Sequence, residues 1–192
     1  MSLENGWYPT PMQLERIDLS APLREALSPA YFAFVRELGA GEGFVGRQYL
    51  RLYAPEYLVS LNQAYETERW LPRKLIFGSD GCGQAFAFDL AAQPLAVLEI
   101  PFVPLDPKYV QLRAASFEEF LTGLAEAVTN SELLIVNKEA LGMEVHEKHP
   151  IALGGSPTED NQVLVPVEKH AELCRFWNKT FQAVRAQARS DA

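Results

Sequence analysis

At 192 residues, 48% hydrophobic and 22% charged, the chain has an ordinary globular composition. That length suits one large domain or a domain of about 130 residues with an appendage. A formal charge of −8 and an isoelectric point near 5.0 argue against non-specific binding to nucleic acid and suit a basic protein partner instead. Two cysteines exclude a disulfide framework, and no apolar run approaches the ~18 residues of a membrane span. With no leader-like N-terminus, a cytoplasmic protein is expected.

Residues 1–18, with Pro9 and Pro11, read as irregular, and Ser20 can cap a short turn containing Pro22, Leu23 and Ala26. Ser28-Pro29 is a cleaner helix start, with serine at the cap and proline in the first turn. Tyr31, Phe34, Val35 and Leu38 then share one face, and Gly39 stops the helix. Gly41, Gly43 and Gly46 make the next stretch loop-like before an alternating strand, Gln48 to Tyr53. Pro55 opens a second helix to about Thr67, with Tyr57, Leu58, Leu61 and Tyr65 at core spacing.

Leu75-Ile76-Phe77 and Ala85-Phe86-Ala87-Phe88 flank Gly78-Ser79-Asp80-Gly81-Cys82-Gly83, the composition of a tight turn between two buried strands. A glycine-rich loop also raises phosphate binding, but no Lys-Ser/Thr follows and the next element is a strand, so no helix N-terminus faces the loop. The hairpin belongs at the centre of a sheet. A further strand, Leu95 to Ile100, follows Pro94; Pro101, Pro104 and Pro107 then force an extended edge. Ser116-Phe117-Glu118-Glu119 is a capping box opening an amphipathic helix with Phe117, Phe120, Leu121 and Leu124. The order predicts an α+β fold, a mostly antiparallel sheet with helices packed on one side and a small C-terminal ββα-like appendage. Thr129-Asn130-Ser131 is the joint, dividing the chain into 1–128 and 129–192.

Leu27-Ser28-Pro29-Ala30-Tyr31, the glycines after it, Tyr49-Leu50-Arg51-Leu52, Phe77-Gly78-Ser79-Asp80-Gly81-Cys82-Gly83, Phe86-Ala87-Phe88-Asp89 and Ser116-Phe117-Glu118-Glu119-Phe120 occur in a characteristic order. Over residues 15–128 this resembles the SUKH superfamily, the fold of a yeast cell-wall-synthesis regulator and of many bacterial immunity proteins. Cys82 stands where that family usually has a second glycine, and the first helix is shorter than usual. The resemblance implies a non-enzymatic binding module whose bacterial members neutralise toxins delivered by neighbouring cells, often nucleases or deaminases.

The tail carries the most chemical-looking stretch. Met143 to His146 and Gln162 to Val165 read as strands joined by a loop holding Pro150 and Gly154-Gly155, and Val167 to about Ala188 reads as a helix with Leu173, Trp177, Phe181 and Val184 on one face. Two strands and a helix with His146, Asn161 and His170 at these intervals resemble the HNH nuclease ββα-metal motif. The resemblance makes His146 the first metal ligand, Asn161 the orienting amide, His170 the helix ligand and Cys174, one turn on, the third. The general-base position is Glu147 instead of histidine, and a carboxylate near its ordinary pKa of about 4.3 is a poor base for activating water at pH 7. A zincin reading of His146-Glu147 fails as well, because it needs a helix and Pro150 breaks one.

The tail therefore reads as a degenerate HNH-like unit without hydrolytic activity and without a required cofactor. Zinc at His146, His170 and Cys174 stays open, against a plainer reading of Cys174 as a small buried residue. Asp80, Asp89, Glu99 and Asp106 read as capping or solvated side chains and as the place to look for partner contacts. Three functions follow: an immunity protein binding a cognate protein toxin, a metal-dependent nuclease with a targeting domain, and a regulatory scaffold. The first predicts no nucleic-acid or membrane partner and leaves the oligomeric state open.

Overall fold

The computed structural model describes residues 6–10, 27, 29–126 and 137–190. Its elements run β1 (Trp7–Pro9), α1 (Pro29–Leu38), β2 (Gly41–Val45), β3 (Gln48–Leu52), α2 (Leu58–Tyr65), α3 (Thr67–Trp70), β4 (Lys74–Ser79) and β5 (Gln84–Asp89). They continue with β6 (Val97–Pro101), β7 (Gln111–Ala114), α4 (Phe117–Glu126), β8 (Met143–Glu147), β9 (Gln162–Pro166) and α5 (Val167–Ser190). Strands β1 to β7 form one antiparallel sheet in chain order, and β8 and β9 pair separately.

The expected hairpin is β4–β5, inside the sheet between β3 and β6. Its turn is closed by Asp80, whose Oδ1 accepts from the N–H groups of Cys82 (2.8 Å) and Gln84 (2.9 Å). Gly81 and Gly83 both adopt positive φ, as the turn composition requires. α1 begins at Pro29, buries Tyr31, Phe34 and Val35, and ends at Gly39 with φ +80°. The turn expected around Ser20, and Ser28 itself, lie outside the described residues.

Two stretches expected to be irregular are strands. Residues 7–9 pair with β2 at the sheet edge, Trp7 opposite Gly43 and Pro9 opposite Gly41, and an edge position tolerates proline. The glycines of β2 serve clearance instead of a loop. A Cβ on Gly43 would lie 1.9 Å from the Gly6 carbonyl oxygen, and one on Gly41 2.3 Å from that of Tyr8. Trp7 fastens β1 to α1, its Nε1 donating to the Leu38 carbonyl at 3.1 Å and its ring meeting Phe34 edge-on.

The helix expected from Pro55 to Thr67 is split. Pro55–Tyr57 is a 3-10 turn, α2 follows, and Glu66 at φ 55° separates it from α3. Tyr57 is consequently 58% exposed instead of in the core, because the tighter 3-10 winding carries it off the buried face. Asn62 ties α2 to the sheet, its Nδ2 donating to the Ile76 carbonyl (2.8 Å) and its Oδ1 accepting from the Ile76 N–H (2.9 Å).

Nor do the prolines after Ile100 form the sheet edge. The chain loops out and returns as β7, the last strand, whose Leu112 is 70% exposed. α4 opens on the expected Ser116 cap, with only the return bond of the capping box displaced by one residue. Ser116 Oγ accepts from the Glu119 N–H (3.1 Å), while the Glu119 carboxylate reaches back to the Ala115 N–H (2.8 Å).

Aromatic side chains weld α1 and α4 to the sheet. The Phe77 and Phe88 rings stack with centroids 4.2 Å apart, Tyr31 meets Phe77, Phe88 and Phe117 edge-on, and Phe120 packs on Phe86 at 5.0 Å. Two alanine substitutions should move stability in opposite directions in urea titrations. Gly43→Ala pushes β1 off the sheet and should cost about 1–3 kcal/mol. Gly123→Ala enters open space in the middle of α4 and should add about 0.5–1 kcal/mol.

Candidate functional site

Antiparallel register sets Glu42 of β2 opposite Arg51 of β3, and Arg51 opposite Ser79 of β4. Directly opposed residues point to the same face of a sheet, so these three form a polar row across its middle. Tyr53, two residues beyond Arg51, shares that face. Arg51 is only 4% exposed and Glu42 6%. Arg51 Nε donates to Glu42 Oε2 at 3.1 Å, and Nη2 contacts the same oxygen more closely.

The tail completes this row. Glu144 of β8 is fully buried and stands 2.6 Å from Arg51 Nη1, near enough for an ion pair though out of line for a hydrogen bond. Glu144 Oε1 also accepts from Ser79 Oγ (2.7 Å) and Tyr53 Oη (3.0 Å). Backbone contacts extend the seam: Arg51 Nη2 donates to the Met143 carbonyl (2.6 Å), Glu42 Oε1 accepts from the Gly142 N–H (2.7 Å), and the Gly81 carbonyl in the hairpin turn accepts from the Val145 N–H (3.0 Å). The tail is docked on the sheet through a buried guanidinium between two carboxylates.

Strand alternation puts His146 on the same buried side as Glu144. Across from it lies α5, whose buried face differs from the expected one. Val184 is 55% exposed and Leu173, Trp177 and Phe181 are half-buried, whereas His170, Ala171, Cys174 and Asn178 are buried. Residues 170, 174 and 178 repeat every fourth position. Asn178 holds the segment after β6, its Oδ1 accepting from the Leu105 N–H (2.7 Å) and its Nδ2 donating to the Phe102 carbonyl (2.9 Å). Lower on the helix, Arg185 pairs with Asp106 and Lys179 with Glu66.

The ligand atoms of His146, His170 and Cys174 lie within 4.8 Å of one another, and all three residues are buried. Cys174 Sγ is 3.4 Å from His170 Nε2 and 4.0 Å from His146 Nδ1. The His170 ring sits against Tyr65 and Phe102, and its Nδ1 is 2.9 Å from the Tyr65 hydroxyl. His146 Nε2 is buried with no hydrogen-bond partner among the described residues. The three residues open onto a cavity of about 100 Å³ whose wall also includes Cys82, Gln84, Glu147 and Gln162. Burial, reinforced by the nearby His146 and Arg51 charges, pushes His170 down to about 3. Burial alone lowers His146, and burial, then the Glu144 charge, raises the Cys174 thiol far above its ordinary value. Both imidazoles are neutral at pH 7.

The other landmarks of the tail are structural. Asn161 clamps the loop between β8 and β9. Its Oδ1 accepts from the His149 N–H (2.9 Å), and its Nδ2 donates to the carbonyls of His149 (2.7 Å) and Ser156 (2.8 Å). It therefore orients the loop backbone and not the side chain at position 147. Gly155 makes that clamp possible, since a Cβ there would lie 1.8 Å from the His149 carbonyl oxygen. Glu147 accepts from the Ile151 N–H at 2.7 Å.

The four carboxylates singled out from sequence are spread over the sheet. Asp80 caps the turn at one end of the hairpin. Asp89, at the other end, binds Lys74 at 2.9 Å. Glu99 stands 3.7 Å from Arg113. Asp106 is buried, capping a 3-10 turn through the Lys108 N–H and pairing with Arg185. Sequence reasoning missed Glu42, Arg51, Glu144 and Asn178. Glu42 and Arg51 become a pair only once the strand register is known, and Glu144 and Asn178 only once the tail is docked.

Compared with protein families, residues 19–123 match the SMI1 / KNR4 family (SUKH-1), more than half of the chain. The chain belongs to the SMI1/KNR4 family. Its fold is shared with a solved structure, that of Atu4351 from Agrobacterium tumefaciens, at a TM-score of 0.59 and 18% identity, over 90% of this chain and 84% of that one. That overlap runs well past the SUKH-1 segment into the tail. No curated protein matches the chain. Among the described residues no helix is long and apolar enough to cross a membrane.

The SUKH-1 segment supplies Glu42, Arg51 and Ser79, while Glu144, His146, His170 and Cys174 lie beyond it. If Arg51 is what couples the two, Glu144→Ala should strip Arg51, Ser79 and Tyr53 of their shared buried partner and cost about 3–5 kcal/mol in equilibrium urea unfolding. In a double-mutant cycle, Glu144→Ala and Arg51→Met should be strongly non-additive, and simple additivity would disconnect them.

Proposed function

We propose that this protein is a bacterial immunity protein that binds and neutralises a contact-delivered toxin, and that the toxin is a nuclease. Membership of the SMI1/KNR4 family carries this reading and supports an immunity-like role at the level of the family. A net charge of −8 adds the physical preference. A nuclease presents a basic face to its phosphodiester substrate, and an acidic binder is steered towards such a face and covers it.

Among the four acidic residues considered, Glu99 and Asp89 keep the most solvent access, with side chains 32% and 24% exposed. They are the proposed steering charges, though Asp89 is also paired with Lys74 and Glu99 lies beside Arg113; Asp80 and Asp106 hold loops. The tail contributes shape instead of catalysis in this reading. Glu147, at the position a general base would take, uses a carboxylate oxygen on the Ile151 N–H, and Asn161 is committed to the loop backbone. The setting is cytoplasmic, where an incoming toxin would meet its antidote.

Co-expression with the toxin domain encoded beside this gene should restore growth, and the purified pair should form a stoichiometric complex. The association rate should fall on the order of tenfold from low to high salt, and Glu99→Lys should slow it further. Undiminished toxicity in cells holding the folded protein would overturn the immunity reading. Plasmid nicking by the purified protein, lost in His146→Ala, would replace it with a nuclease.

A further inference from the structure

The buried histidine–histidine–cysteine cluster lies where the tail packs on the sheet and takes no part in the proposed toxin contacts, yet its geometry is more specific than packing requires. β8 supplies His146, and α5 supplies His170 and Cys174 from adjacent turns. The 3.4 Å between Cys174 Sγ and His170 Nε2 is close to the ~3.5 Å that separates thiolate sulfur from imidazole nitrogen around a tetrahedral zinc ion. Tyr65, from α2, engages His170 Nδ1 and so leaves Nε2 facing the sulfur, the arrangement by which an outer residue orients a ligating imidazole.

A second observation points the same way. His146, 4% exposed, turns Nδ1 towards Cys174 Sγ at 4.0 Å, and its buried Nε2 has no hydrogen-bond partner among the described residues, whereas buried polar atoms are ordinarily paired. The three ligand atoms lie within 4.8 Å of one another, so a tetrahedral site requires them to close by roughly an ångström at most. The adjoining cavity, about 100 Å³, has room for a water in a fourth position. Glu144, the nearest buried carboxylate on β8, is taken up by Arg51, Ser79 and Tyr53. The donors left are therefore two nitrogens and a sulfur, a set suited to zinc and not to calcium or magnesium.

We infer that His146, His170 and Cys174 bind a single zinc-class divalent ion that ties β8 to α5. Binding exchanges the Cys174 thiol proton for a metal–sulfur bond and releases that proton to solvent. The ion acts as a strut for the tail, and the inference holds whether or not the partner is a toxin.

The full-length protein, stripped with a chelator, should be titrated with Zn²⁺ against a chromophoric competitor and with Co²⁺ as a spectroscopic probe. Stoichiometric uptake, a thiolate-to-cobalt charge-transfer band and a higher melting temperature with metal are expected. Cys174→Ser should remove the band, while Cys82→Ser and His149→Ala should retain it. Tyr65→Phe should keep the band and weaken affinity about tenfold or more. Failure of the folded wild-type protein to take up either metal would overturn the site, whatever the variants do. A band that survives Cys174→Ser and vanishes in Cys82→Ser would overturn the ligand set, and unchanged affinity in Tyr65→Phe would overturn the positioning role.

Discussion

A guanidinium held between two carboxylates organises this molecule. Arg51 is buried, and its charge is held by Glu42 on one side and Glu144 on the other. Such triads contribute little net stability, because desolvation offsets most of their attraction, but they penalise every arrangement in which one member is missing. The penalty here acts on register. Glu42 faces Arg51 only if β2 and β3 pair as they do, and Glu144 reaches Arg51 only if β8 lies over the row that runs on to Ser79. Aromatic packing on α1 and α4 makes the sheet stable, while the charges fix which strand meets which.

The tail and the sheet also share apolar contacts. Ala171 and Cys174 belong to the same buried cluster as the sheet residues, Tyr65 stacks on Phe102 while touching His170, and Asn178 braces the chain after β6. The SUKH-1 segment and the tail are therefore physically continuous.

Much of the fold was legible in the sequence where local chemistry and tertiary structure agree. The β4–β5 hairpin, α1 with its Pro29 start and Gly39 stop, the Ser116 cap of α4 and the two strands and helix of the tail each carry their own signal. β1, β2 and β7 were hidden for distinct reasons. Pro9 and the glycines of β2 imitate a loop, because composition cannot say that a glycine is present for another strand's backbone. Gln111 to Ala114 has no buried alternation, since an edge strand with one wet face has little to hide. In the site, His146, His170 and Cys174 are the ligands that the resemblance to the HNH motif implies, and they do come together. Arg51 and its partners were not, because residues far apart in sequence acquire meaning only through pairing. The face of α5 was misjudged because its buried stripe is built from His170, Cys174 and Asn178, which an apolar count overlooks.

The distance along the chain between the members of the triad has a further consequence for synthesis. A ribosome delivers Glu42 and Arg51 almost together, and every strand of the sheet has emerged by Ala114. Glu144, 91 residues beyond Tyr53 in the chain, arrives much later. Until then Arg51 has Glu42 but not its second buried partner, and that face of the sheet lacks the cover of β8, so the tail acts as the closing step of biogenesis, after which the polar row is sealed from water.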